Sequence, residues 1–302
     1  MIVRVDETLN FSDKREHIMK IIIKKIFIIL RSFFEYIKWL YQYIKNPKTK
    51  KIKNEGKVVI CGNGPSIKLF PFSEFIDRGY KTCVVNYFPT DEELFFKIKP
   101  SFYVCVDPFF HSSIDELTDE EIKLVNSLNK VSWNMKYICY KKHHLPLNNP
   151  NISYSYINKN FFSYDYSKLI KNLLDNNKAT FGYQNVIIAA IYYFIMSEVD
   201  EVVLTGVEND WHRELVVDQN NDVFREMTHF YGNEKINVTE LGEIKKGELF
   251  NYFKFYYLTL YQYYLLSKYA EDSKTKVVNS TVNSYIDVFS KMNPQEILHK
   301  SL

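Results

Sequence analysis

The chain has 302 residues, 46% of them hydrophobic and 25% charged, which is globular composition and excludes a disordered chain. That length can bury one large domain, or one domain plus an appendage. The net charge of +3 is unevenly spread: ten Lys and Arg and a single acid, Glu35, lie between Lys20 and Lys53, so the remainder is about −6 (3 minus 9). A uniformly basic nucleic-acid binder would not divide its charge this way.

The first element is the stretch IMKIIIKKIFIILRSFFEYIKWLYQYIK, with polar residues at 20, 24, 31, 35, 38, 42 and 45. Steps of four, seven, four, three, four and three keep these positions on one face of a helix and leave Ile, Phe, Leu, Trp and Tyr on the other. Lys20, Lys24, Lys25 and Arg31 interrupt the stretch too often for a bilayer-spanning helix or the apolar core of a secretory signal. Two readings stay open for its apolar face. One is packing on the domain or on a second subunit; the other is a basic helix lying on an anionic membrane surface. The basic, Pro-containing linker NPKTKKIKNEGK follows, and residues 1–56 form a unit distinct from 57–302.

From Lys57 the pattern changes. KVVIC, KTCVVN, SFYVCV, MKYICY, EVVLTG and KVVNS are short apolar runs of the kind that fill strands buried on both faces. GYQNVIIAAIYYFIMSE and ELFNYFKFYYLTLYQYYLLSKYAED are long enough for buried helices. Strands alternating with helices predict a Rossmann-like α/β domain: a mostly parallel sheet, helices on both faces and right-handed crossovers. Cys61, Cys83, Cys105 and Cys139 lack C-x-x-C spacing and read as buried reduced thiols; no paired ligands accompany His143 and His144 to suggest zinc.

The segment VVICGNGPS places two of only nine glycines at the end of the first run. Gly62 and Gly64 let the chain turn off the strand and bring backbone amides near a ligand, while Pro65 and Ser66 open a helix whose N-terminus attracts phosphate. Asn63 is a candidate ligand for ribose, base or phosphate. A plain glycine turn remains the alternative, because the segment is neither G-x-G-x-x-G nor a Walker loop. Other strand ends carry Asn86, Asp107 and, after Gly206, the run Glu208, Asp210, Trp211, His212 and Arg213. In an open α/β sheet such ends converge on one crevice.

In this order the pieces resemble the bacterial sialyltransferases of glycosyltransferase family 42 and their relatives in lipopolysaccharide and capsule synthesis. The matching stretches are VVICGNGPSIK, CVVNYF, FYVCVDPFF, ATFGYQNVIIAAIYYF, EVVLTGVEND, THFYG and KVVNSTVNSYIDVF, across residues 57–290. The resemblance implies one nucleotide-binding domain with a lid, here within about 141–180. It implies a CMP-activated acidic sugar as donor, and an inverting transfer without cofactor or metal to a glycan or glycolipid hydroxyl. It implies donor contacts at Asn63, Asn86 and the position of Asp107, with substrate contacts also at Thr180, Gly182, Ser280, Ser284 and Tyr231. The general base falls at His229 in Thr228-His229-Phe230-Tyr231, with His212 and Asp107 as its rivals. Two departures stand out. The family has Asn at Asp107, and it holds the leaving phosphate with two tyrosines, whereas residues 207–228 contain none. His212, Arg213 and Arg225 are the cations available for that task. The expected setting is cytoplasmic, peripheral on the inner face of the membrane, with an anionic surface and a second copy of the chain as candidate partners and no nucleic acid. Other nucleotide sugars (CMP-Kdo or a UDP-sugar), a Mg-dependent pyrophosphokinase-like enzyme and a non-catalytic membrane-associated assembly protein remain as alternatives. A metal-binding role for Glu208 and Asp210 belongs with the UDP-sugar alternative.

Overall fold

The structure is a computed structural model that describes residues 11–46, 48–50, 53–54, 56–106, 117–141, 144–162, 166–182, 185–229, 232–240 and 244–300. Helix α1 (Phe11–Lys45) leads into the α/β domain. The first half of that domain runs β1 (Lys57–Cys61), α2 (Phe72–Asp77), β2 (Lys81–Val85), α3 (Glu92–Ile98), β3 (Phe102–Val104), α4 (Asp119–Asn129), β4 (Met135–Cys139) and β5 (Ile152–Tyr156). The chain then returns through β6 (Phe161–Phe162), α5 (Lys168–Asp175), β7 (Thr180–Phe181) and α6 (Val186–Met196) to β8 (Glu201–Thr205). An antiparallel insert follows: β9 (Leu215–Val217), β10 (Val223–His229) and β11 (Gly232–Asn237). The chain closes with α7 (Leu249–Ser273), β12 (Lys276–Asn279), β13 (Ser290–Lys291) and α8 (Pro294–Lys300).

The main sheet has eight strands in the order β13-β12-β8-β1-β2-β3-β4-β5, and all of its pairs are parallel. Its strands read as unbroken apolar runs because both faces are covered. The strand period of two divides each run between two cores. Val58 and Ile60 of β1, Cys83 and Val85 of β2, and Val202 and Leu204 of β8 face the α6–α7 side. Val59, Cys61, Val84 and Val203 face the side of α2, α3, α4 and α8. Helix α6, VIIAAIYYFIM, is apolar around its whole circumference because it lies inside; from Ile187 to Met196 every residue is buried. All four cysteines are buried, as the sequence reading expects, and none forms a disulfide. Burial pushes the thiols of Cys61, Cys83 and Cys139 upward.

The α/β reading thus holds, with a single large parallel sheet compatible with a Rossmann-like arrangement. The range 141–180 assigned to a lid is built differently. It holds β5, the sheet's edge strand, together with β6, α5 and β7, and it sends Ile152, Phe162 and Leu174 into the cores. The end of α1 also belongs to the domain's packing. Trp39 is buried, stacks on Phe162 with ring centroids 6.0 Å apart, and donates its indole N–H to the Lys178 carbonyl at 3.0 Å. Gln42 accepts the Phe161 N–H at 2.8 Å, and Asn46 donates to the Asn160 side chain at 2.7 Å.

Candidate functional site

The strand order reverses between β1 and β8. Strands β2 to β5 add outward on one side of β1, and the chain then crosses back to lay β8 on the other. In open parallel sheets the carboxyl ends flanking such a switch point splay apart and leave a crevice. A crevice of about 200 Å³ lies there, lined from both flanks by Gly62, Asn63, Gly64 and Pro65 after β1, Val85 and Asn86 at β2, and Gly206 to Trp211 after β8, while Asn185, Val186 and Ile187 at the start of α6 complete it.

The two flanks are tied together closely. The Gly62 N–H donates to the Thr205 carbonyl at 2.8 Å, and the Gly64 N–H to the Gly206 carbonyl at 2.9 Å. A Cβ on Gly62 would come within 2.2 Å of the Gly206 carbonyl oxygen. Gly206 itself adopts φ +66, the left-handed conformation that favours glycine. The Ser66 N–H, at the start of the short helical turn 65–69, donates to Glu208 Oε1 at 2.8 Å. Here the structure corrects the sequence reading: these three amides, offered there to a phosphate, are engaged by the protein's own carbonyls and carboxylate. Gly62 serves close approach between β1 and β8, and Gly64 leaves room for the Glu208 carboxylate.

What the crevice leaves open is a set of side-chain atoms. Asn63 Oδ1, Asn86 Oδ1, Glu208 Oε2 and both polar atoms of the Asn209 amide are buried without a hydrogen-bond partner. Asn86, directly after β2, and Asn209, in the loop after β8, hold left-handed backbone conformations, φ 45 and φ 54; such positions in non-glycine residues cluster at functional sites. The amino ends of the same strands make a contrast. There the buried Glu201 carboxylate accepts the Tyr80 hydroxyl at 2.6 Å and pairs with Lys276 and Lys57, so its charge is matched. A buried polar atom without a partner costs about 1–3 kcal/mol. The concentration of such atoms at one crevice marks it as a place for a hydrogen-bonding ligand.

Beyond Trp211, the His212 ring lies edge-on to Tyr285 at 4.5 Å and against Tyr256 at 5.0 Å, and its Nδ1 is buried without a partner. Tyr256, from α7, donates its hydroxyl to the Asn209 carbonyl at 2.8 Å. Burial, with the nearby Tyr285 and Asp210, pushes the Tyr256 hydroxyl up to about 12. Arg213 is exposed and lines an adjoining open cleft with Asn283, Ser284 and Tyr285. Strand β10 lies against the turn 211–214, with Arg225 paired to Leu215.

Of the residues singled out in the sequence, Gly62, Asn63, Gly64, Pro65, Asn86, Gly206, Glu208, Asp210 and Trp211 meet in this crevice. Ser66 and His212 adjoin it. Ser284 is structural in character: it donates to the Val207 carbonyl at 2.6 Å and is buried. Thr180 and Gly182 are buried at β7, and neither lines the crevice, nor does Ser280, whose N–H bonds the Leu204 carbonyl at 2.8 Å. His229 is the last residue of β10, paired with Gly232 across the hairpin, four residues beyond Arg225 or about 13 Å along a strand. Asp107 and Tyr231 lie outside the described residues. Sequence reading missed Asn185, Asn209, Tyr256 and Tyr285. Asn185 caps α6 by accepting the Ile187 N–H at 2.9 Å, a signal legible in the Asn before the apolar run. The two tyrosines come from distant elements and carry no local signal. Among the described residues no group of three or more His, Cys, Asp or Glu side chains gathers as a metal site.

No protein-family model, no curated protein and no solved structure matches the chain.

Proposed function

We propose that the chain is a glycosyltransferase that moves an acidic, sialic acid-like sugar from a CMP-activated donor to a hydroxyl of a surface glycan or glycolipid. The observation that carries this reading is the pair Asn63 and Asn86, whose buried amide oxygens lack partners at adjacent strand ends beside the switch point. A carboxamide offers an acceptor beside a donor, as the edge of cytosine does in complement, and a ribose or sugar hydroxyl satisfies the same groups. Glu208 Oε2 accepts a further hydroxyl. A carboxylate in this place is unfavourable for a phosphate, so the donor's phosphate turns toward His212 and Arg213.

In the proposed step the acceptor oxygen attacks the anomeric carbon from the face opposite CMP. The bond from that carbon to the phosphate oxygen breaks, the configuration inverts, and the acceptor proton passes to a neutral imidazole. His229 is assigned that base by the resemblance. His212, flanked by Tyr256 and Tyr285, is assigned to the leaving phosphate, where donors aimed at developing charge act most strongly. Tyr285 supplies a hydroxyl that the stretch 207–228 lacks, while Tyr256, whose O–H goes to the Asn209 carbonyl, holds the His212 ring. Metal independence and a lid come from the resemblance. The antiparallel insert 215–237 suits a lid better than 141–180, because it follows directly on the crevice residues 206–211.

The test is thermal unfolding with CMP, UDP, GDP and ADP compounds, each with and without excess chelator. A ligand that binds the native state raises its apparent stability, by about 2.7 kcal/mol at a hundred times its dissociation constant. The expected result is a shift with CMP or a CMP-sugar that survives chelation. A larger, metal-dependent shift with a UDP-sugar overturns the donor assignment.

A further inference from the structure

Helix α1 leaves most of its surface uncovered. At 3.6 residues per turn, Ile23, Ile26, Leu30, Phe33, Ile37 and Ile44 fall within an arc of about 80°. They are between 47% and 72% exposed. Trp39, through which the helix docks on the domain, lies nearly opposite, about 160° round the axis. Docking therefore turns the apolar stripe outward. Lys20, Arg31 and Lys38 are exposed along one flank of the stripe, and Lys45, Lys48, Lys50 and Lys53 continue the positive charge past its end. No helix among the described residues is long and apolar enough to cross a membrane. A soluble monomer seldom displays a contiguous apolar face of this extent.

We infer that the outward face of α1 is a docking surface for an anionic lipid bilayer, with the helix lying in the plane of the interface. The apolar stripe enters the headgroup and acyl boundary by about 5–10 Å, and the flanking cations sit at headgroup level. Charge chooses lipid over a second copy of the chain. The segment from Lys20 to Lys53 carries ten cations against one acid, so two copies brought together along it repel, whereas an anionic leaflet attracts them. This inference stands apart from the glycosyltransferase reading and does not rest on it.

The experiment is co-sedimentation of the full chain with vesicles of phosphatidylcholine alone or mixed with phosphatidylglycerol. The expected result is strong binding to the mixed vesicles and weak binding to the neutral ones, with the difference shrinking as salt is raised. Ile26→Asn with Phe33→Asn lowers binding to the mixed vesicles about tenfold or more, from the lost apolar insertion. Lys20→Gln with Lys38→Gln lowers it about twenty-fivefold, at about fivefold per cation, and leaves binding to neutral vesicles unchanged. Both variants keep the wild-type melting temperature, because the substituted side chains are exposed. Absence of binding to the mixed vesicles overturns the inference. So does equal binding by Ile26→Asn/Phe33→Asn, or a stable dimer in solution that those substitutions dissociate, since a second copy then covers the face.

Discussion

The Glu208 carboxylate sits over the Gly64 backbone: Oε1 accepts the Ser66 N–H at 2.8 Å, and a Cβ on Gly64 would lie 1.5 Å from Oε2. Gly64 is extended, with φ −74 and ψ 155, so it needs no special backbone freedom. What it supplies is space for the carboxylate. Gly62 differs, because its missing Cβ makes room for the Gly206 backbone. Gly64→Ala is expected to cost about 1–2 kcal/mol by displacing a side chain, and Gly62→Ala about 3 kcal/mol by parting β1 from β8. Adding Glu208→Ala relieves Gly64→Ala and leaves Gly62→Ala uncorrected. Chemical denaturation of the singles and both doubles checks this, since contacting pairs depart from additivity. Equal costs for the two glycine variants would contradict the distinction.

Asn63 and Asn86 should separate binding from stability. Their buried oxygens have no partner to lose, so Asn63→Ala is expected to leave the melting temperature unchanged or slightly raised. Asn86 has φ 45, so glycine is the replacement that avoids backbone strain. Asn63→Ala and Asn86→Gly are each expected to weaken CMP binding about tenfold, or about 1.4 kcal/mol, by removing a hydrogen bond to the ligand. Calorimetric titration with CMP reads the loss, and unchanged affinity in both variants would remove these residues from the nucleotide site.

Much of the fold was legible because strands buried on both faces write themselves as continuous Val and Ile runs, and α6 as an all-apolar helix. The carboxyl ends of those strands were legible too, through Asn63, Asn86, Gly206 and Glu208. Two things were not. The amides of Gly62, Gly64 and Ser66 look like a phosphate cradle until the partner strand is known. Only the parallel pairing of β1 with β8 shows that Thr205, Gly206 and Glu208 take them. Tyr256 and Tyr285 reach His212 from α7 and from the loop after β12, across sequence separations that no local pattern encodes.

The docked end of α1 predicts where truncation begins to matter. Removing residues 1–35 spares Trp39 and the contacts of Gln42 and Asn46, and should leave cooperative unfolding in place. Removing residues 1–54 strips an indole from the α6–α7 side of the sheet and uncovers Phe162. Losing a buried Trp costs about 3–5 kcal/mol, which corresponds to a fall of roughly 10 °C in melting temperature for a domain of this size. Similar melting temperatures for the two truncations would show that Trp39 contributes little.

Alkaline pH should destabilise the protein cooperatively. Burial pushes Tyr103, Tyr137, Tyr263 and Tyr269 upward, and Tyr256 to about 12. The unfolded chain titrates tyrosine near 10. Between those values the native state holds more protons than the unfolded state, so stability falls as pH rises. The contribution is fully present below about pH 10 and is lost toward pH 12 and above. Tyrosinate absorbance and far-ultraviolet circular dichroism, followed together, are expected to change in one shared step. Full ionisation of all tyrosines with the dichroism intact would show that these rings are open to solvent.

The two candidate histidines should fail in different ways. A general base acts on the acceptor hydroxyl, so its removal lowers turnover while sparing ground-state donor binding. His229→Ala is therefore expected to reduce turnover at least ~100-fold, the usual contribution of a positioned base, with CMP affinity nearly unchanged. His212 follows Trp211 of the crevice wall and is held between Tyr256 and Tyr285, so a role at the leaving phosphate predicts loss of both CMP affinity and turnover in His212→Ala. Tyr256→Phe removes the hydroxyl that bonds the Asn209 carbonyl while keeping the ring against His212. It should reproduce part of the His212→Ala loss if that bond, by fixing the crevice wall, helps hold His212 in place. Steady-state kinetics and CMP titration on the three variants decide the matter. Near-normal turnover in His229→Ala, with CMP affinity intact in His212→Ala, would move the base to His212 and leave the departing phosphate to Arg213 and Arg225.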